Sequence, residues 1–503
     1  MGGRGGEMKI KYLLLFLALP ICFSCSDDLL NQKPSTSVSD EQIMTEVVAA
    51  RTALMGAYAQ LGDYRYHTLA TITSDVMGQD LTMTSGAYGF STYNWLVFSY
   101  QYAQTPVISP WWTGYANYIW RYAYKSIDQA NTIIVNAKAL KPEGAEKEDL
   151  IAQAYGLRAY NFLLLTQLFA RAYTDQPDSK GILLRLEPGS NDESRNVPRT
   201  SVREAYKQIL SDLMYAYEHC SGEDAQFVNR RGAALLLART YLNMGDYANA
   251  VKYATDAVGL YDGSNLMTKD EYRAGFKDRN KEWLWFFNFT PNTCNLYASI
   301  PSFYWYCSSF EGYPYGAKIA SQDIEGKAKN ILKGYSTVRA SASFRDMFED
   351  SDCRKLFPGY AYEEDGFFIS KFGHRKNIGD AESPFCRIAE GYLIKAEAEL
   401  GLGNAAEAKK VLNILQKARG ATPTEATVEL IWKERRKELY GEGFALNDIK
   451  RLSMSLKRTG KDQWAGVKEL PANSPRFMLP IPETEMLYNK QLTAEDQNEY
   501  WRN

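Results

Sequence analysis

Apolar and small residues return at three- and four-residue steps through much of this chain, and that spacing predicts helices. In "IMTEVVAARTALMGAYAQLGDY", Ile43 to Tyr64, they hold one helical face that stops at Gly62-Asp63. The segments Trp112 to Leu140 and Glu148 to Ala172 keep the same step, with Leu157, Tyr160, Leu164 and Leu168 on one stripe of the second.

The sharpest pattern is "RGAALLLARTYLNMGDYANAVKYATDAVGLY", Arg231 to Tyr261. Aligned on Gly245-Asp246-Tyr247 it fits a tetratricopeptide unit, with Leu237, Ala238, Tyr241, Ala250 and Ala257 where that repeat packs its two helices. Small residues there let helix axes approach closely. A weaker match, "IAEGYLIKAEAELGLGNAAEAKKVLNILQKARG", is centred on Gly403, with Ala396 and Ala408 at small positions and Lys395 where an apolar residue is expected. Because the two units lie far apart in sequence, the expectation is separate helical pairs packed into one body, not a regular solenoid. Between about Tyr261 and Arg387 the periodicity fades while Gly, Pro, Ser and aromatics rise. "EWLWFFNFT" (Glu282 to Thr290) and "DGFFISKFG" (Asp365 to Gly373) could be short buried strands there. The fold class expected is mostly α, a scaffold of tetratricopeptide-like helical pairs with a loop-rich aromatic region and a few short strands.

Composition changes this picture in two places. Net charge over the 503 residues is −2 with no long basic run, so no nucleic-acid footprint is present. Aromatics are plentiful, with 35 Tyr and 10 Trp. Such side chains combine a flat apolar face with a polar edge, which suits partly wet ligands as well as helix packing. At the start, Lys9 and Lys11 after Met8 form a basic region ahead of the apolar run Tyr12 to Phe23, which reads as a secretory leader. It ends at "CFSCSDD", where the Ser24-Cys25 junction resembles a bacterial lipobox; residues 1–24 are then leader, Cys25 the lipidation site and 25–40 a polar tether. Acyl chains would anchor the protein, since each buried methylene contributes about 0.8 kcal/mol. Cys220, Cys294, Cys307, Cys353 and Cys386 are scattered, giving neither a disulfide framework nor zinc spacing; Cys294 and Cys307 could pair, though buried thiols are the better reading.

Toward the C-terminus stand "RIAEGYLIKAEAELG", "KERRKELYGEG", "NDIKR", and "LPIPETEMLYNKQL" followed by "DQNEY". In this order the four blocks resemble those of the SusD/RagB family of Bacteroidetes cell-surface lipoproteins. "RIAEGYLIKAEAELG" is similar to its R-x-A-E-x-Y-L-I-x-A-E-A helix, and "KERRKELYGEG" (Lys433 to Gly443) to its E-R-x-x-E-L-x-x-E-G segment. "NDIKR" resembles the D-L-x-R ending, and "LPIPETEMLYNKQL" with "DQNEY" the closing I-P-x-x-E and Q-N-x-x-Y. Ala445 stands where the family usually has Arg, and Ile449 where it has Leu. Asp27 and Asp28 resemble the surface-export signal of such lipoproteins. The resemblance divides the mature chain into an N-terminal helical region, 41–260, and a C-terminal region, 261–503, loop-rich to about 385 and helical beyond. Read from the residues alone, Glu434, Glu438 and Glu442 form an acidic stripe that is either solvated or internally paired.

The resemblance implies a glycan-binding protein on the outer membrane, facing the cell exterior, that hands oligosaccharides to a SusC-like TonB-dependent transporter. Two stretches could supply its platform. "TSGAYGFSTYNWLVFSYQY" offers Tyr88, Tyr93, Asn94 and Trp95, and "SFYWYCSSFEGYPYG" offers Tyr304, Trp305, Tyr306 and Tyr313. In the second, alternation would bury Phe303 and Trp305 and turn Tyr304 and Tyr306 outward. A peptide ligand, as in the RagB branch, stays open. A glycoside hydrolase needs two carboxylates about 5–10 Å apart. Asp75, Asp80, Glu311 and Asp365 lie near the aromatic stretches, but no motif pairs them. Nucleophile-elbow, zinc and phosphate-loop motifs are missing, and His67, His219 and His374 have no metal spacing. The expectation is a binding protein without catalytic residues, metal or cofactor.

Overall fold

The computed structural model describes residues 46–83, 98, 115–189, 191–304, 335–357, 366–375, 378–464 and 467–502. Its N-terminal helices are α1 (Val47–Leu61), α2 (His67–Val76), α3 (Tyr115–Val135), α4 (Ala145–Phe169), α5 (Val202–His219), α6 (Arg230–Met244) and α7 (Tyr247–Val258). After an irregular span come α8 (Ile388–Gly401), α9 (Ala405–Arg419), α10 (Val428–Leu439) and α11 (Ala445–Arg451).

The body is a row of helices. α1, α3, α4, α5, α6, α7, α8 and α9 pack in that order, each against the next. The two tetratricopeptide-like pairs, α6–α7 and α8–α9, are therefore neighbours, which corrects the expectation of separate pairs. The chain between Val258 and Ile388 leaves the row and re-enters it beside α7, so distance in sequence did not translate into distance in space. Each turn has its own chemistry. Gly245 closes α6 with φ +77°, and the Asp246 side chain caps α7 by accepting from the Asn249 N–H at 3.1 Å. Leu237, Ala238, Ala250 and Ala257 are all buried, as the repeat pattern requires. Lys395 sits with its ammonium 4.3 Å from the Tyr261 ring centre, which explains how a cation occupies an apolar position.

The short strands β1 (Leu81–Met83), β2 (Lys180–Leu183), β3 (Arg199–Ser201), β4 (Trp283–Asn288), β5 (Val338–Ala340), β6 (Glu382–Arg387), β7 (Leu456–Lys457) and β8 (Glu469–Leu470) pair antiparallel as β1–β5, β2–β3, β4–β6 and β7–β8. "EWLWFFNFT" is thus a strand as expected. The described part of "DGFFISKFG" is buried but makes only single bridges, Phe367 with Ala340 and Phe372 with Phe276.

The family-like blocks meet in a buried ion network. Glu438 of α10 is fully buried between Arg387 (2.6 Å), Arg354 (3.0 Å) and Arg419 (3.0 Å). Burial opposes its charge, but the guanidinium groups outweigh that and hold its carboxyl well below the usual range. Glu442 pairs with Arg387 (2.7 Å) and Lys371 (2.6 Å), and Glu282 with Arg419 (2.7 Å). Beside it, Asp448 bridges Arg435 (2.9 Å) and Arg451 (2.8 Å). Of the two readings of the acidic stripe, internal pairing is the one observed.

Candidate ligand-binding face

The two aromatic stretches lie mostly outside the described residues: Tyr88, Tyr93, Asn94, Trp95, Trp305, Tyr306 and Tyr313 are among those not described, as are Cys25 and Cys307. What the structure does describe is where each stretch leaves and rejoins the body. The first leaves after Met83, at the end of β1, whose ladder partner is Val338 of β5. Trp464 Nε1 donates to the Met83 carbonyl at 2.5 Å. Phe98, further along, packs edge-on against the Trp464 ring at 5.5 Å and lies under the Arg458 guanidinium at 4.4 Å. Arg458 in turn donates to the carbonyls of Val76 (2.6 Å), Gly78 (3.0 Å) and Phe98 (2.6 Å).

The second stretch leaves after a short helix, Ile300–Tyr304, and the chain is described again from Tyr335. Tyr335 N–H donates to Ser302 Oγ (3.0 Å) and Ser336 N–H to the Ser302 carbonyl (2.7 Å), two residues before the chain departed. From there it runs directly into β5. Residues 358–365 begin after Phe357 and end at Gly366, next to Phe367, which exchanges both backbone hydrogen bonds with Ala340 at 2.8 and 2.9 Å. Gly366 has φ +76°, and a Cβ there would lie 2.6 Å from the Ala340 carbonyl oxygen, so this close crossing requires glycine. β1, β5 and the Ala340–Phe367 bridge therefore form one stem for stretches that are far apart in sequence.

Tyr304 is the one predicted contact residue that is described, and it is not outward-facing. Phe303 and Tyr304 are both buried, because the segment is a helical turn and not the alternating strand expected. The Tyr304 ring stacks on Phe372 at 5.4 Å. Burial, with Asp75 alongside, pushes its hydroxyl pKa well up. Asp75 itself is buried, which raises its pKa to about 7 against the opposing N–H groups of Gly443 (3.0 Å) and Ala445 (3.4 Å).

Sequence reading passed over Tyr297 and Tyr335. Their rings lie 5.7 Å apart, Tyr335 also meets Phe303 at 5.6 Å, and Tyr297 is 50% exposed. Each neighbours a strained residue: Leu296 has φ +45° and Ser336 φ +50°, conformations that cost about 1–3 kcal/mol and gather at functional sites. The signal was a Leu-Tyr pair in an aperiodic segment, too ordinary to stand out. The other polar candidates are accounted for. Asp80 pairs with Arg436 at 2.9 Å, and Glu311 and Asp365 lie outside the described residues. His67 and His374 are buried, and desolvation lowers both to about 4. His219 stacks on Tyr215 at 4.3 Å. Cys220, Cys353 and Cys386 are buried free thiols. Among the described residues no group of three or more His, Cys, Asp or Glu could hold a metal ion.

The described residues form a row of tetratricopeptide-like helices, and comparison with known proteins gives the chain a family. The description "Starch-binding associating with outer membrane" matches residues 28–242 and "SusD family" matches 358–501. The chain belongs to the SusD/RagB family. It is 24% identical to SusD-like protein P2 of Formosa agariphila over 97% of this chain and 98% of that protein. A SusD-like carbohydrate binding protein from Bacteroides vulgatus superposes with a TM-score of 0.72 at 26% identity, over 90% of this chain and 98% of the other. A SusD superfamily protein from Bacteroides thetaiotaomicron does so at 0.75 and 23%, over 90% and 99%.

Proposed function

We propose that this protein captures glycan chains at the exterior of the outer membrane, held there by lipid on Cys25, and delivers them to a SusC-like TonB-dependent transporter. Ligand meets an aromatic face raised on the β1–β5 stem, with Tyr88, Tyr93, Asn94 and Trp95 from the first stretch, Trp305, Tyr306 and Tyr313 from the second, and Tyr297 and Tyr335 at its base. Tyr304 supports that face from beneath. The observation that supports this reading is that the described chain departs toward the first stretch at the end of β1 and, described again from Tyr335 after the second, runs into β5, the partner of β1. Flat rings stack on the C–H faces of sugars, while Asn and Tyr hydroxyl groups meet the sugar hydroxyls. The carbohydrate-binding relative from Bacteroides vulgatus supports the ligand class. No catalytic step is part of the proposal.

The test is calorimetric titration of soluble protein beginning at Ser26 with a panel of polysaccharides and peptides, repeated with Trp95→Ala and Trp305→Ala. Saturable glycan binding without product release, lost in either variant, is expected. Saturable peptide binding with no glycan binding would replace this reading by peptide uptake.

A further inference from the structure

A cavity of about 600 Å³ forms a groove along α3 that shares no lining residue with the aromatic face. α3 forms one wall with Asn117, Arg121, Lys125 and Asp128 on successive turns, and the helix Glu483–Tyr488 faces it across the gap. Most charges in the groove are committed to holding its walls. Arg185 pairs with Glu485 (2.7 Å), which also accepts from Trp120 Nε1 (3.0 Å), and Lys490 pairs with Asp192 (2.6 Å). Asp128 accepts from the Gly189 N–H at 2.5 Å, fixing the third wall, and Arg195 donates to the Gly189 carbonyl at 2.5 Å. Glu187 is exposed at the far end, its carbonyl held by Asn131.

Two cations remain. Arg121 and Lys125 are exposed, stand one turn apart, and have no acidic side chain within ion-pair distance among the described residues. Like charges at that spacing disfavour each other, and an anion lying between them relieves the repulsion. The surrounding groups suit a sugar carrying that anion. Thr484 Oγ1 donates to Asn117 Oδ1 at 3.2 Å, leaving the Asn117 amide N–H groups for hydroxyls, and Tyr488, 78% exposed, offers a flat face at the rim.

We infer that this groove is a second carbohydrate site, specific for a chain bearing carboxylate or sulfate groups, with Arg121 and Lys125 on the anion and Tyr488 against the ring. The inference rests on the glycan-binding reading and adds the acidic class of ligand and a site separate from the aromatic face.

The experiment uses soluble protein from Ser26, with oligogalacturonate as carboxylate probe, carrageenan oligosaccharide as sulfate probe, malto-oligosaccharide as neutral probe and oligoglutamate as peptide probe. Affinity is read by calorimetry at two salt concentrations, and location by hydrogen–deuterium exchange. At least one acidic sugar probe is expected to protect α3 and 483–490 and to weaken with salt. The double variant Arg121→Gln/Lys125→Gln should bind it about tenfold more weakly or worse, with neutral-probe affinity unchanged. Which acidic probe binds separates carboxylate from sulfate. If malto-oligosaccharide binds but neither acidic sugar distinguishes wild type from the double variant, the groove inference fails and the glycan reading stands. Oligoglutamate protecting the same segments, and weakened by the variant, would overturn the carbohydrate assignment of the groove. Failure of all three carbohydrates to bind would count against both readings.

Discussion

Glu438 shows how much one side chain can carry. Three guanidinium groups converge on it inside the protein, and removing one partner of a buried network strands the others without compensation. Glu438→Ala is expected to cost about 3–5 kcal/mol in urea unfolding. Its folded pKa lies below its unfolded one, so its stabilisation is complete above the unfolded value of about 4.3 and is lost as pH falls through the folded value. Asp75 has the opposite sign. Burial raises it from the model-compound value of 3.8 to about 7, so its contribution is full below pH 3.8 and is lost as pH rises through 7. Asp75→Asn removes this titration. The melting temperature of wild type, measured relative to the variant, should therefore fall steadily from pH 4 to pH 7; parallel curves would show that Asp75 is not raised. Because Asp75 lies beside Tyr304, this measurement also reports on the base of the second aromatic stretch.

At the scale of elements, close helix approach depends on what is missing. Gly391 of α8 faces α7, and a Cβ there would lie 2.4 Å from Val258 Cγ2, on a stiff β-branched side chain. In a helix interior Ala is normally favoured over Gly by about 1 kcal/mol. Here the clash should win, making Gly391→Ala destabilising, with Val258→Ala in the same chain restoring stability; a stabilised single variant would contradict the packing. α1, α3, α7, α8 and α9 lie within segments that the spacing of apolar and small residues marked, and α4 and α6 overlap theirs, starting at Ala145 and Arg230. α7 and α9 bury one face and leave the other solvated, while α6 and α8 are buried almost all round and were legible through the tetratricopeptide pattern. α2 was not legible. Every residue of "HTLATITSDV" is buried, so no polar face remains to set a period, and its threonines favour strand by local preference. The strand expected at 365–373 failed for a related reason, since apolar content signals burial without fixing backbone conformation.

Across the whole molecule, what sequence could not supply was convergence. Both aromatic stretches were visible as composition, but the pairing of Leu81 with Ala340 that joins their bases is a long-range fact with no local pattern. The same holds for the groove along α3, whose walls come from near position 120, near 190 and near 485. Anchoring, by contrast, was proposed from sequence alone, and it has a consequence for the molecule as a unit. Among the described residues no helix is long and apolar enough to cross a membrane. If lipid on Cys25 is the anchor, membrane attachment and ligand binding are carried by separate parts of the chain. Cys25→Ala should then move the protein from the membrane fraction to the soluble fraction, because the acyl methylenes, at about 0.8 kcal/mol each, are lost together. Calorimetric affinity for glycan should stay unchanged, while uptake of the same glycan by cells should fall, since delivery needs the protein held at the membrane. Retention of the variant in the membrane fraction would point to another anchor. Release with normal uptake would break the link between anchoring and delivery.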